Sequence, residues 1–162
     1  MQTFLPYKDF KKSAEALDYK RLGKQRVEAM QIINAITGVP RKDGKVYKGW
    51  TNHPCSVMWK DHVDGLKHYC NIMIEEWIKR GYNNTMKIYE VPKDFEVPTW
   101  IGNKDFHASH RSNLLRKEFD YYKQHGWDED PEEPYMWQDV EGKWYKQHVG
   151  TGEREYLEKE KK

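Results

Sequence analysis

The stretch PCSVMWKDHVDGLKHYCNIMIEEWIKRG, residues 54–81, decides the fold. Pro54 suits the first position of a helix, with Asn52 or His53 at the cap. Cys55, Met58, Trp59, His62, Leu66, Tyr69, Cys70, Met73 and Trp77 then recur at three- and four-residue steps, the spacing of one helix face. Lys79 and Arg80 form a basic last turn suited to the helix dipole, and Gly81 supplies the stop. This reads as one core helix whose Trp and Met side chains pack and do not form a cofactor box. Cys55 and Cys70 would stand about 22 Å apart on it, too far for a disulfide. Both read as small buried apolar groups in a reducing compartment.

Working outward, the opening Met1–Phe10 mixes apolar and aromatic residues with Pro6 and reads as an ordered extended segment. Ser13 can cap a helix running to about Thr37, stopped by Gly38, with Met30, Ile33 and Ile36 as its core stripe. Residues 38–52 form a loop with a candidate hairpin at Asp43-Gly44. Tyr82 to Lys104 is an irregular connection of about 23 residues, a length uncommon in compact domains unless functional. A third helix is expected from Ser109 to Lys123, burying Leu114, Leu115 and Phe119. Beyond Gly126, the aromatics Trp127, Tyr135, Trp137, Trp144 and Tyr145 alternate with acids and proline, and the last ten residues read as frayed. The expected architecture is all-α: three main helices with long loops in a single compact domain. Residues 1–137 form that domain, and 138–162 a charged C-terminal extension.

With 162 residues the chain is one domain's worth. No apolar run approaches the roughly 18 residues of a membrane helix, and no signal-peptide pattern opens the chain. A monomeric cytoplasmic protein is expected. The net charge of +2 hides an asymmetry, because residues 1–126 carry 22 Lys/Arg against 15 Asp/Glu while residues 127–162 carry six against eleven. A basic body with an acidic tail fits a nucleic-acid binder, and equally a solvated surface.

Three segments could carry chemistry. In Lys20-Arg21-Leu22-Gly23-Lys24-Gln25-Arg26-Val27-Glu28, four cations crowd a helix interior broken by a glycine that costs about 1 kcal/mol relative to alanine. Arg21, Lys24 and Glu28 share one helix face, and surrounding cations favour an ionised carboxylate. The bland alternative is an exposed pair of Lys24 with Glu28. In His107-Ala-Ser-His110-Arg111, the two histidines could bind a metal or a phosphate, or cap the third helix, and no ligand spacing favours zinc. The arginine at a helix start favours phosphate. Trp50-Thr-Asn52-His53-Pro54 marks only a helix start.

Together these segments resemble the pyrimidine-dimer DNA glycosylases, the endonuclease V-type repair enzymes, and their bacterial and phage branch in particular. The resemblance rests on Thr3-Phe-Leu-Pro, Lys20 through Glu28, Asn52-His-Pro, Ile78-Lys-Arg-Gly-Tyr-Asn83, His107-Ala-Ser-His-Arg through Lys117, and Tyr121-Tyr122, and covers roughly residues 1–137. It implies an all-α glycosylase with AP-lyase activity on damaged or modified pyrimidines in double-stranded DNA, needing neither cofactor nor metal. The N-terminal amine, on Met1 or on Gln2, would form an imine at C1′. Glu28 would be the essential carboxylate. Lys20, Arg21, Lys24, Arg26, Arg111 and Lys117 would contact DNA, while Gln25, Asn52, His53, His107 and His110 line the site. The rival readings are a non-catalytic DNA-binding protein and a metal-dependent nuclease built on the histidines.

Overall fold

Asp18 divides the first expected helix, and Asp9 starts it earlier than Ser13. In the computed structural model, which describes residues 2–40, 43–45, 51–148 and 150–157, helices α1 (Phe10–Ala16) and α2 (Tyr19–Thr37) are separate. Asp9, not Ser13, caps α1 by accepting from Lys12 N–H at 2.9 Å. Asp18 caps α2 by accepting from Arg21 N–H at 3.3 Å, with Leu17 and Asp18 extended between the helices. A short polar side chain that can satisfy a free N–H favours such a break over helical continuation. Gly38 ends α2 in the left-handed region at φ 77°, as expected.

The long second helix is also two. Helix α3 (Pro54–Trp59) starts with Pro54 in its first turn and His53 Nδ1 accepting from Cys55 N–H at 3.1 Å. Lys60-Asp61-His62 breaks the run, and α4 (Val63–Lys79) resumes it before Gly81. Cys55 and Cys70 thus lie on different helices, both free and buried. The third helix begins earlier than Ser109, as α5 (Lys104–Lys117), capped by Asn103. It continues as the one-turn α6 (Phe119–Tyr122) and a 3-10 turn (Lys123–His125), and Phe119 is exposed. The segment between Tyr82 and Lys104 is irregular. Around Asp43-Gly44 the flanks of the candidate hairpin, like Trp50, lie outside the described residues.

The all-α expectation is corrected. Strands β1 (Tyr135–Gln138), β2 (Trp144–Gln147) and β3 (Arg154–Tyr156) form an antiparallel sheet in that order, so the fold is α+β. Asp139 makes the first turn, its Oδ1 accepting from Glu141 and Lys143 N–H at 2.9 Å each, with Gly142 at φ 79°. The last strand falls in residues expected to fray. Sheet alternation is masked in β1, where the adjacent Met136 and Trp137 are both buried. β1 packs on α5 and on α3, which covers both of its faces.

The core lies between α2, α4 and α5, and the extended segment Gln2–Leu5 threads through it. No regular element pairs with this segment's backbone, so side chains do. Phe4 N–H donates to Gln25 Oε1 (2.9 Å), and Phe4 O accepts from Tyr69 Oη (2.9 Å). Leu5 N–H donates to His110 Nδ1 and Leu5 O accepts from His107 Nδ1, both at 2.8 Å. Pro6 O accepts from Arg111 Nη1 at 2.7 Å. A buried backbone must have its polar groups satisfied, and here residues expected to meet DNA do so. Among the described residues, no helix is long and apolar enough to cross a membrane.

Candidate active site

One face of α2 opens onto a pocket of about 300 Å³, the small end of the range for ligand sites. Lys20, Arg21, Lys24, Gln25 and Glu28 come from α2, Lys117 and Glu118 from the end of α5, Gln2 and Phe4 from the N-terminal segment, and Tyr135 from β1. The shared helix face of Arg21, Lys24 and Glu28 is thus a pocket wall.

Gln25 is the pivot. It is buried, and its Nε2 donates both to Gln2 O (2.9 Å) and to Glu28 Oε2 (3.1 Å). Its Oε1 accepts from Phe4 N–H and lies 2.6 Å from Tyr69 Oη, whose one proton is shared with Phe4 O. A single amide therefore ties Gln2 to the Glu28 carboxylate. Met1 lies outside the described residues.

The cations divide into two kinds. Arg21 Nη1 pairs with Asp18 at 3.2 Å and lies 3.9 Å from Glu118. Tyr122 donates a short hydrogen bond to that same Asp18 carboxylate, which holds Arg21 at the pocket rim. By contrast Lys20, Lys24 and Lys117 have no carboxylate partner among the described residues, and the alternative Lys24–Glu28 pair is not formed. Burial, then the nearby Arg21 and Arg116, lower the Lys117 ammonium from its ordinary value.

Other expected site residues stand elsewhere. Arg26 points to the opposite flank, donating to Asn84 Oδ1 at 2.7 Å and lying 4.2 Å over the Trp77 ring. Trp77 in turn packs over Gly23, where a Cβ would meet its ring at 2.9 Å. The awkward glycine thus admits the Trp77 ring. Arg111 pairs with Glu129 behind the N-terminal segment. His107 donates from Nδ1 to Leu5 O and accepts at Nε2 from Gly102 N–H (2.9 Å), which fixes it as a neutral tautomer. His110 accepts at Nδ1 and is fully buried. Burial chiefly lowers the pKa of both rings. Both lone pairs are taken, so neither ring offers one to a metal. Asn52 is exposed at the turn before α3. His53 is partly buried beside Trp137, with ring centroids 5.8 Å apart. Burial first, then the positive charge of the chain's amino terminus, lower His53 to about 4.

The sequence reading missed Phe4, Glu118 and Tyr135 in the pocket, and Asp18 with Tyr122 behind it. Only Asp18 left a signal, a capping residue three positions before Arg21. Tyr135 reaches the pocket through a sheet that the sequence reading did not contain.

Three lysines without a carboxylate partner among the described residues, beside Glu28 and Glu118, suit a polyanionic ligand such as a nucleic-acid strand. A model of the pyrimidine dimer DNA glycosylase family matches residues 1–90, more than half of the chain, and the chain belongs to that family. The match spans the segment Gln2–Leu5 and helices α1 to α4, and ends before Lys117, Glu118 and Tyr135. Searches of curated proteins and of solved structures return no match.

Proposed function

We propose that the protein is a DNA glycosylase with AP-lyase activity, acting on damaged pyrimidines such as UV dimers through the amine at the head of the chain. The observation that carries this reading is the Gln25 amide, which binds Gln2 O and Glu28 Oε2 at once. In the proposed reaction the neutral amine nitrogen bonds to C1′. The C1′–N1 bond breaks, and its electron pair leaves with the pyrimidine, which is protonated from solvent. The amine loses a proton, the C1′–O4′ bond opens with its pair going to oxygen, and an imine results. Glu28 as a carboxylate stabilises the cationic sugar and takes the C2′ proton, and β-elimination expels the 3′ phosphate. Lys20, Lys24, Lys117 and the Asp18-held Arg21 grip the flanking phosphates. An α-amine suits the task because its pKa of about 7.7–8.0 leaves a usable neutral fraction near pH 7.

Borohydride trapping on UV-irradiated and on abasic duplex DNA tests the proposal. A covalent adduct is expected, abolished by blocking the N-terminus. Glu28→Gln should keep DNA binding and lose turnover. The unpaired lysines would equally serve a non-catalytic DNA binder, and the absence of any adduct would favour that reading.

A further inference from the structure

Tyr135 is the one pocket residue supplied by the sheet, and it is held as a functional side chain would be. It opens β1, in register with Gln147, and the next residue is anchored by Met136 N–H donating to Ser109 Oγ at 3.3 Å. Its ring lies edge-on to His110 (5.9 Å, 85°) and against Trp137 (5.7 Å), with His110 itself fully buried. The ring is therefore fixed and the residue lines the pocket, while its hydroxyl, open to solvent, has no hydrogen-bond partner among the described residues. A ring held by its neighbours with its hydroxyl open to solvent is a preplaced donor for a ligand that enters the pocket. Burial raises its pKa well above the ordinary phenol value, so it remains an O–H donor at any physiological pH.

The pocket walls also differ in chemistry. On the α2 side stand Lys20, Lys24 and Glu28, suited to phosphates and a sugar. The same pocket is lined by two aromatic residues, the nearly buried Phe4 and the partly buried Tyr135, which carries a single neutral donor. A pyrimidine presents flat faces and carbonyl acceptors, and when its bond to C1′ breaks the electron pair spreads onto the carbonyl next to N1. We propose that Phe4 and Tyr135 form the base-recognition wall, and that Tyr135 Oη donates a hydrogen bond to the carbonyl oxygen of the departing pyrimidine. Tyr135 keeps its proton throughout and acts by stabilising charge that grows in the transition state. The inference rests on the glycosylase reading above, and it assigns the sheet a share in the base-excision step that the family match does not reach.

Tyr135→Phe tests it, because the substitution keeps the ring and removes a hydroxyl that no described residue uses. Two single-turnover reactions are compared, excision from a duplex carrying a pyrimidine dimer and nicking of the same duplex carrying a preformed abasic site. Excision is expected to fall roughly 100-fold, the effect of losing one aimed donor. Abasic-site nicking and borohydride trapping on that substrate should hold within about twofold. If both reactions fall together, Tyr135 only supports the fold, and the proposal is overturned. Unchanged excision overturns it as well. A wild-type chain that forms no adduct on abasic DNA would instead remove the glycosylase reading itself, which separates the two failures.

Discussion

Gln25→Leu should uncouple the start of the chain from Glu28. The replacement keeps the side chain's approximate size and helix propensity but removes every hydrogen bond of the amide. Tyr69 can still donate to Phe4 O, and Glu28 can turn to water. Gln2 O and Phe4 N–H cannot, because both residues are buried. Each unsatisfied buried group costs about 1–3 kcal/mol, so the pair costs about 4 kcal/mol. Burying a leucine offsets about 2 kcal/mol of this. The net loss is about 2 kcal/mol, a sizeable part of a typical stability of about 5–15 kcal/mol. With a urea slope near 2 kcal/mol per molar, the unfolding midpoint, followed by tryptophan fluorescence, should drop by about 1 M. The trapping rate on abasic DNA should fall about 100-fold, since a misplacement of about 1 Å in a reacting group costs that much. A midpoint shift below about 0.3 M would show that the Gln25 bonds are dispensable to the fold. A lowered midpoint with full trapping would show that Gln25 holds the fold but does not place the amine.

Two further perturbations test the surroundings. Gly23→Ala raises helix propensity by about 1 kcal/mol, yet its Cβ would meet the Trp77 ring at 2.9 Å. That ring is also held by Arg26 and by Tyr82, stacked at 4.4 Å. Overpacking of about 1–3 kcal/mol should win, so the melting temperature falls, and a rise would show that Trp77 yields freely. Acid should loosen the N-terminal segment, because the folded state holds His53, His107 and His110 below their ordinary value near 6.5. Below about pH 6.5 the unfolded chain then binds more protons, so stability is full above that pH and declines as pH falls toward 4, the value to which His53 is lowered. Denaturation midpoints measured from about pH 7 to 5 should show this decline, and His110→Asn, which keeps an acceptor near Nδ1, should flatten it. A flat wild-type profile would contradict the assignment of neutral buried rings.

Periodicity made the helical half of this fold legible, and short polar residues hid its joints. The apolar rhythm from Cys55 to Trp77 and the stops at Gly38 and Gly81 are local signals, and the structure keeps them. The breaks at Asp18 and at Lys60-Asp61-His62 are local too, but they compete with a rhythm that runs straight across them. The sheet was hidden for a different reason. Strand β1 is covered on both faces, so Met136 and Trp137 are buried side by side and alternation disappears. What remained was the Asp139–Lys143 turn, which needs a partner strand before it means anything.

The same division separates the legible part of the site from the rest. Arg21, Lys24 and Glu28 share a pocket because helix geometry places residues three, four and seven apart on one face. His107 and His110 obey that spacing equally well, yet they face inward and hold Leu5. Spacing fixes which side chains stand together, and only packing fixes whether the side they share is solvent or core. The decisive difference lies with the N-terminal segment. Its backbone has no strand partner, so the nearest polar side chains on α2, α4 and α5 must satisfy it. Gln25, His107 and His110 are recruited for that purpose, and Glu28, one turn from Gln25, is left at the pocket edge. A segment that needs side chains to bury its backbone thereby brings Gln2 to the same Gln25 amide that holds Glu28, and the requirement for a satisfied core sets that arrangement.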